Sequence, residues 1–533
     1  MQAPPLSPWA LLAVVGGYFA VLVAVGWLTA GRGDGEAFFK GGRSSPWYLV
    51  AWGMIGASLS GVTFVSIPGV VGTGGLNQQL SYLQVVLGYV LGYVAIAGVL
   101  LPLYYRLGLT SIYEYLRRRF GSASYYTGAA FFQVSRVTQA SFRLYLVAIV
   151  LDAFVLGPLG VPFWTTVAVT LLLIYAYTFR GGIQTVVYTD TLQTAVMLAA
   201  VVIAVHSITG RLGVRLADVP DLVRGSGLAQ AFFFGGGWSD ANNFFKQFLS
   251  GALITVVMTG LDQDMMQKNL TCRTLGDARK NVLSLSVLLV PINLLFLTLG
   301  ILLYVFLERE GVPVPLTDAG AVAGDQVFPT VALRQLGPAA GITFVLGLIA
   351  AAYSSADSAL TALTTSFCVD FLGFERARDG GEAASAKTLR SDADKRRTRA
   401  LVHVGFAVAI FFTILAFFLL PDKSVINKLF TWAGYTYGPL LGMFAFGLTT
   451  RRGVRDALVP VVCVGSVLLT VVVDANSAAW FGGLKLGFLV LAVNGAITYA
   501  GMWGVSRGAG APGASVSRAI ASPSSRSSRG VSR

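Results

Sequence analysis

The sequence predicts an all-α polytopic membrane protein. Of its 533 residues, 55% are hydrophobic and only 12% are charged, and the mean hydropathy is +0.69, whereas a soluble domain carries about 25% charged residues. The chain also contains a series of apolar runs of about 20 residues, the length that a helix needs to cross a hydrocarbon core. Because hydrocarbon offers no partner to backbone amides, we expect each run to be helical.

Thirteen such runs follow one another along the chain, and each is predicted to be a transmembrane segment. They lie near residues 8–30, 46–72, 80–105, 123–156, 160–179, 183–207, 247–262, 281–307, 339–372, 400–420, 426–449, 454–474 and 484–505.

The basic residues fix an expected orientation. With the N-terminus outside, 28 of the 39 lysines and arginines fall on the cytoplasmic side, nine fall outside, and Arg136 and Arg143 lie within a segment. This bias follows the positive-inside rule, so the net charge of +14 needs no nucleic-acid partner. We therefore expect the N-terminus outside and the C-terminus inside.

Two segments are predicted to be interrupted helices. The second, around residues 46–72, holds five glycines, three serines, Thr63 and Pro68, a composition that predicts a break near its middle. The seventh is short, because its apolar run stops at Asp262. Since the two are five segments apart, repeats that begin at each would run in opposite directions, and interrupted helices at matching places of inverted repeats mark a transporter's central binding site.

A polar face interrupts the ninth segment. Ala351, Ser354, Ser355 and Ser358 are spaced i, i+3, i+4 and i+7 and share one side of a helix. Opposite the carbonyls freed in the second segment, from Gly56 to Leu59, they would offer about five neutral oxygens, which suits Na⁺. The alternative is that small residues here only allow close helix packing.

The sequence resembles the sodium:solute symporter family over nearly all of residues 8–506. Six motifs in the expected order carry the resemblance: GASLSGVTF (56–64), TSIYEYLRRRFG (110–121), GGIQTVVYTDTLQ (181–193), LDQDMMQKNLTCRTLGDARK (261–280), SSADSALTALTTSFCVDF (354–371) and GYTYGPLLGMFAFGL (434–448).

The resemblance implies a LeuT-type fold of two inverted five-helix repeats. One extra helix at 8–30 would precede the repeats at 46–207 and 244–449, and two more helices would follow at 454–506. Residues 507–533 are rich in Ser, Gly and Arg and are predicted to form a disordered cytoplasmic tail.

The resemblance also implies sodium ligands. The family's common sodium site falls on the carbonyls of Gly56, Leu59 and Ala351 and on the hydroxyls of Ser354 and Ser355. A second sodium site, which only some members have, falls on Asp190, with Ser354, Ser355 and Ser358 to complete it. The alternative for Asp190 is a gate or a folding contact.

The implied solute site joins several helices. Ser58, Ser60 and Thr63 lie on the broken segment, Gln84 lies on the next one, and Asp262, Tyr435 and Tyr437 complete the set. Sugar transporters of the family carry an amide where Asp262 stands and a glutamate where Gln84 stands. Both differences weaken a simple sugar assignment.

Arg136 and Arg143 are i and i+7 on the fourth segment. An unpaired arginine in a membrane costs at least about 2.5 kcal/mol, so each needs a partner or water. One partner could be a carboxylate on the solute, held by the guanidinium fork. The alternative is that either arginine pairs with Asp190, Asp262 or freed carbonyls.

We therefore interpret the chain as a sodium-coupled secondary active symporter that imports a small polar solute by alternating access. A carboxylate-bearing solute (sialic acid, a monocarboxylate or an amino acid) and a sugar are the candidates. The alternatives are a transporter-like membrane receptor and proton coupling through Asp190 or Asp357. No enzymatic constellation is visible in the cytoplasmic stretches. We expect a monomer in a bilayer, as a multi-pass protein of a bacterial plasma membrane.

Overall fold

The computed structural model describes residues 7–29, 45–317, 320–374, 392–419, 425–484 and 486–508. Within these ranges the chain is almost entirely helical. The helices, in chain order, are α1 Pro8–Thr29, α2 Trp47–Ser58, α3 Gly61–Val70, α4 Tyr82–Leu107, α5 Glu114–Arg119, α6 Ser122–Leu151, α7 Phe163–Arg211, α8 Val219–Gly225, α9 Phe244–Gly260, α10 Gln263–Leu270, α11 Leu275–Arg309, α12 Gly324–Arg334, α13 Pro338–Phe371, α14 Asp392–Phe418, α15 Val425–Thr449, α16 Val459–Trp480 and α17 Val490–Gly504.

Membrane-length helices dominate this architecture. Within the described residues, nine helices are long and apolar enough to cross a membrane, and two bent helix pairs raise the number to 11 if each pair is one span. All thirteen predicted segments coincide with helical backbone. The all-α polytopic class is therefore confirmed, whereas the count of thirteen crossings and the orientation stay predictions.

The two bent pairs lie where the sequence predicts interrupted helices. The axes of α2 and α3 differ by 57°, and those of α9 and α10 differ by 65°. The second pair shows that the short seventh segment does not end at Asp262, since the chain turns there and resumes as α10. At each bend, the ends of two helices and several polar side chains are buried inside the protein.

One expected boundary is not marked by a break in the backbone. The sequence predicts separate segments at 160–179 and 183–207, and the backbone is one helix, Phe163–Arg211, along which lie two separate apolar stretches, Phe163–Ala176 and Thr185–Leu212. Gly181 and Gly182 stand at the expected turn, and without a proline they leave the helical hydrogen bonds unbroken. At 1.5 Å per residue a straight helix of this length would span about 73 Å, more than two hydrocarbon thicknesses.

The chain ends also differ from expectation. Ser506 and Arg507 form β2, which pairs antiparallel with β1, Gly453–Val454, so the predicted tail does not begin at 507. Residues 509–533 lie outside the described residues.

Small residues bring the first broken helix against α7 and α13. A methyl group added to Gly53 would lie 3.1 Å from Cβ of Asp190, and one added to Gly56 would collide with Thr194 and lie 3.1 Å from Oγ of Ser354. The facing part of α13, residues 350–365, is completely buried. This contact places the serines of α13 beside the end of α2.

Candidate functional site

The first helix break exposes backbone carbonyls to the protein interior. Helix α2 ends at Ser58, and Leu59 (φ −93°, ψ 90°) and Ser60 (φ −81°, ψ 177°) are extended before α3 begins. The break is thus slightly later than the predicted stretch from Gly56 to Leu59. Among the described residues, none donates a hydrogen bond to the carbonyl of Gly56 or of Leu59. Those oxygens remain able to bind a cation.

Two serine hydroxyls of α13 lie in the same region and differ in their partners. The hydroxyl of Ser354 donates to Oδ1 of Asp190 at 2.6 Å, which leaves its oxygen lone pairs for another contact. Oγ of Ser355 is buried and has no hydrogen-bond partner in the described part of the chain. Burying an unsatisfied hydroxyl costs about 1–3 kcal/mol, a cost that a bound cation would remove.

Buried tyrosines satisfy the second helix break instead. The hydroxyl of Tyr104 donates to the carbonyl of Gly260 at 2.8 Å, and that of Tyr113 donates to the carbonyl of Leu261 at 3.1 Å. Asp262 caps α10 by accepting from the amides of Asp264 and Met265. The two breaks therefore differ, since oxygens remain open at the first and are bonded at the second.

A cavity opens beside the first break, between α2, α3, α4, α6, α9, α10 and α11. Its polar lining is Ser58, Ser60, Thr63, Tyr82, Tyr89, Tyr93, Arg136, Arg143, Thr255, Thr259 and Asn293. The rest of the lining is aliphatic or thioether, including Leu59, Ile67 and Met258. Such a mixture of apolar walls and few polar groups is typical of a small-molecule site.

The two arginines of α6 both border this cavity, but their partners differ. Arg136 donates to Oδ2 of Asp264, and its Nη1 lies 3.8 Å from Oδ2 of Asp262. Arg143 is buried and forms no hydrogen bond or ion pair with any described residue. The cavity therefore holds one arginine that is neutralised by the protein and one that is not.

The carboxylates beside Arg136 also anchor the second break. Oδ2 of Asp262 accepts a hydrogen bond from the hydroxyl of Tyr437 on α15. Arg136, Asp262, Asp264 and Tyr437 thus tie α6, α10 and α15 together. Asp262 and Tyr437, both expected at the solute, do not line the cavity.

Two other residues expected at the solute lie elsewhere. The side chain of Gln84 donates to the carbonyl of Asn242 at 2.9 Å and accepts from the amide of Phe233 at 3.0 Å. The hydroxyl of Tyr435 donates to Asp474 on α16 at 2.5 Å. Ser58, Ser60, Thr63, Arg136 and Arg143 are the predicted solute residues that do border the cavity.

Asp190 has a partner that the sequence reasoning missed. Nζ of Lys268, on α10, lies 2.6 Å from Oδ2 of Asp190, and both side chains are 1% exposed. The hydroxyl of Ser358 donates to the carbonyl of Ser354 at 2.9 Å. The position of Lys268 could have indicated this pairing, because the lysine follows the helix break at Asp262 by only six residues. The count of basic residues instead assigns Lys268 to the cytoplasmic side.

The bundle and its interior define a class of protein. A helical membrane protein in which two bent helices meet a buried, partly polar cavity is a membrane transporter of the kind that binds its solute within interrupted helices. The sequence profile of the sodium:solute symporter family matches residues 38–429. The chain belongs to the sodium:solute symporter family.

Relatives and solved structures agree with this membership. The human sodium/iodide cotransporter is 27% identical over 449 residues, 81% of this chain, and the chain spans 65% of that protein's length. The sodium/sialic acid symporter NanT of Aliivibrio fischeri is 24% identical over 505 residues, 90% of this chain and 91% of that protein.

Two solved structures have the same fold. A substrate-bound, outward-open Na⁺-coupled sialic acid symporter has a TM-score of 0.73 at 20% identity, over 92% of this chain and 96% of that chain. A nucleobase-cation-symport-1 family transporter in a closed conformation has a TM-score of 0.51 at 14% identity, over 91% of this chain and 94% of that one. The fold is therefore that of Na⁺-coupled transporters, and the family profile identifies a transporter rather than an enzyme.

Proposed function

We propose that the protein imports a small organic anion, with Na⁺ bound at the first helix break and the solute's negative charge held by Arg143. Membership of the family supports Na⁺-coupled solute symport. The observation that carries the finer proposal is a buried arginine that lines the cavity without an ion pair to any described carboxylate, next to a helix break whose carbonyls accept no hydrogen bond from a described residue and one of whose residues, Leu59, also lines the cavity.

The sodium ligands proposed are the carbonyls of Gly56, Leu59 and Ala351 and the hydroxyls of Ser354 and Ser355. The open carbonyls of Gly56 and Leu59 and the orphan hydroxyl of Ser355 support this set. All are neutral oxygens, which a hard monovalent cation accepts as ligands. Asp190 stands directly behind Ser354 and adds a carboxylate to the hydrogen-bond network.

The charge of the solute is inferred from Arg143. A guanidinium binds a carboxylate through two parallel hydrogen bonds, which makes it a specific anchor for that group. Among similar proteins are transporters named for iodide, sialic acid and monocarboxylates, all of which are anions near neutral pH. Arg136 is already neutralised by Asp262 and Asp264, so of the two cavity arginines we assign the anchor to Arg143.

The proposed cycle is alternating access across a plasma membrane. Na⁺ draws the end of α2 toward α13 and so orders Ser58 and Ser60, which border the solute cavity. Bound solute then closes the cavity around Arg143, and the reorganised bundle releases both on the inner side. The coupling is a binding linkage, so each ligand strengthens the binding of the other by the same factor.

Uptake into proteoliposomes tests the proposal. The purified full chain is reconstituted and supplied in turn with labelled sialic acid, lactate, iodide, proline and galactose, under an inward gradient of Na⁺, K⁺ or protons. We expect sialic acid or lactate, the two organic anions, to accumulate only with Na⁺. Accumulation driven by protons would replace the coupling ion, and accumulation of iodide, proline or galactose alone would contradict an organic anion as the solute.

A thermal-shift screen in NaCl provides the matching measurement without transport, since a ligand that binds only the folded state raises its Tm. A raised Tm for an anion in NaCl, but not in KCl, is the expected result. A Na⁺-dependent thermal shift with a solute that is not taken up would favour a receptor over a transporter.

A further inference from the structure

The buried ion pair between Asp190 and Lys268 lies next to the proposed sodium ligands. Nζ of Lys268 is 2.6 Å from Oδ2 of Asp190, and Ser354 donates to Oδ1 of the same carboxylate, also at 2.6 Å. Both oxygens of Asp190 are therefore engaged, one by a cation and the other by a hydroxyl. The carboxylate sits where the family resemblance implies a second sodium site.

Three helices meet at this pair. Asp190 belongs to α7, Lys268 to the helix that follows the second break, and Ser354 to α13. Gly53 on α2 approaches Asp190 so closely that an added methyl would lie 3.1 Å from its Cβ. The ammonium is thus connected through Asp190 to Ser354, one of the proposed sodium ligands.

The ammonium group fits the position of a bound cation. It carries one positive charge, lies within hydrogen-bond distance of the carboxylate and is almost fully buried. A Na⁺ ion at Asp190 would have to push this ammonium aside, and the displaced charge would be left buried without its counter-ion, which is strongly unfavourable.

We propose that Lys268 serves as a built-in cation at Asp190 and thereby limits the protein to one bound Na⁺ per chain. This inference rests on the proposed function, because it presupposes the first sodium site. Lys268 is then a residue that determines ion stoichiometry, although it contacts neither the solute cavity nor a proposed sodium ligand directly.

A second carboxylate, that of Asp357 on α13, follows the proposed sodium ligands Ser354 and Ser355 in the chain. Oδ1 of Asp357 accepts from the amide of Ser358 at 2.5 Å and lies 3.4 Å from its hydroxyl. If Asp357 were to hold an additional ion, the wild-type protein would bind two. The ion count therefore tests this arrangement as well.

The experiment measures ²²Na⁺ binding to the purified full chain by equilibrium dialysis, without solute. We expect one ion per wild-type chain and a Hill coefficient of about 1. Lys268→Gln removes the ammonium but keeps a polar chain of similar length, and we expect two ions per chain in this variant. Lys268→Arg keeps the charge and should still bind one.

The double variant Asp190→Asn, Lys268→Gln removes both charges and should return to one ion, because the vacated position has lost its carboxylate. Its fold is checked by the Tm of each protein. If Lys268→Gln alone fails to fold, Lys268→Ala is counted in its place, because it also removes the ammonium and leaves the carboxylate of Asp190.

Two ions on the wild-type chain, or one ion on a folded Lys268→Gln variant, would overturn the role of Lys268 and leave sodium coupling intact. Two ions on the folded double variant would equally overturn it. No saturable Na⁺ binding to the wild type would instead overturn the proposed function, and the inference with it.

Discussion

At the scale of residues, unsatisfied polar groups separate this site from ordinary helix packing. Close packing explains why Gly56 and Ala351 are small, but it does not explain a buried hydroxyl without a partner at Ser355. The neighbouring Ser354 and Ser358 both donate hydrogen bonds. Ser355 is thus the serine on this face whose burial is costly without a ligand.

Replacing Ser355 by alanine tests its assignment as a sodium ligand. We expect the Na⁺ concentration for half-maximal binding to rise about 5- to 30-fold, since one lost ligand of this kind is worth about 1–2 kcal/mol. Equilibrium dialysis with ²²Na⁺ measures it. Ser466→Ala is the matched control, because that buried serine lies on α16, where it donates to the carbonyl of Cys463 and accepts from the hydroxyl of Thr498. An unchanged Na⁺ affinity in Ser355→Ala would remove this residue from the site.

Arg136 and Arg143 form a second matched pair, on one helix and at one cavity. Arg136→Met should lower the Tm markedly, because losing one partner of a buried ion pair costs about 3–5 kcal/mol. Arg143→Met leaves no buried carboxylate behind among the described residues, so we expect its Tm without solute to be unchanged or higher.

Solute binding should show the opposite order. Arg143→Met should weaken binding of the transported anion about 10- to 100-fold, as expected for the loss of a charged hydrogen bond of about 1.5–3 kcal/mol. The Na⁺-dependent thermal shift with that anion measures the change. Wild-type affinity in a folded Arg143→Met protein would contradict an anionic anchor at this position.

At this scale the sequence could predict relations between residues of one helix, but not contacts between residues that are distant in the chain. The shared face of Ser354 and Ser355 follows from their spacing and is independent of the rest of the fold. The partner of Asp190 does not follow in that way, because Lys268 is 78 positions away and comes close only after α10 has turned at the break. Local composition gives no sign of that turn's direction.

At the scale of elements, the two bent helix pairs are alike in shape and different in chemistry. The sequence predicts both positions, one from glycine, serine and proline content and one from a short apolar run. It cannot predict which break keeps open carbonyls, because the donors at the second, Tyr104 and Tyr113, come from other elements. The asymmetry favours cation binding at the first break.

Gly56→Ala tests the contact between α2 and α13. The added methyl would collide with Thr194 and approach Ser354, and overpacking of this kind costs about 1–3 kcal/mol. Because relief of these contacts moves the end of α2 away from α7 and α13, we expect Na⁺ affinity to fall at least about fivefold. Gly16→Ala on α1, where nothing lies within 4 Å of the added methyl, is the control. Undiminished Na⁺ binding would place the sodium site elsewhere.

At the scale of the whole molecule, charge stoichiometry connects the proposed residues. Lys268 supplies one fixed positive charge beside Asp190, and Arg143 supplies one at the cavity. Fixed charges return to their starting positions after each cycle, so only the cargo contributes net charge movement. One Na⁺ with one monovalent anion therefore carries no net charge across the membrane.

This balance predicts transport that the membrane potential does not drive. With one Na⁺ and a neutral solute, 100 mV would contribute about 2.3 kcal/mol, or about fiftyfold accumulation. With one Na⁺ and a monovalent anion, we expect no contribution from the membrane potential, so that a roughly tenfold Na⁺ gradient supports at most a roughly tenfold solute gradient.

Proteoliposomes clamped with K⁺ and valinomycin at 0 and about −100 mV measure the steady-state ratio of solute inside to solute outside. Equal ratios at both potentials are expected for the wild type, whereas a ratio that rises about fiftyfold at the negative potential would mean that a second Na⁺ moves or that the solute is neutral. The charge of the accumulated solute separates those two readings. The Lys268→Gln variant should raise the ratio at about −100 mV by about fiftyfold over the wild type, because a second Na⁺ adds one charge to the cargo whatever the charge of the solute.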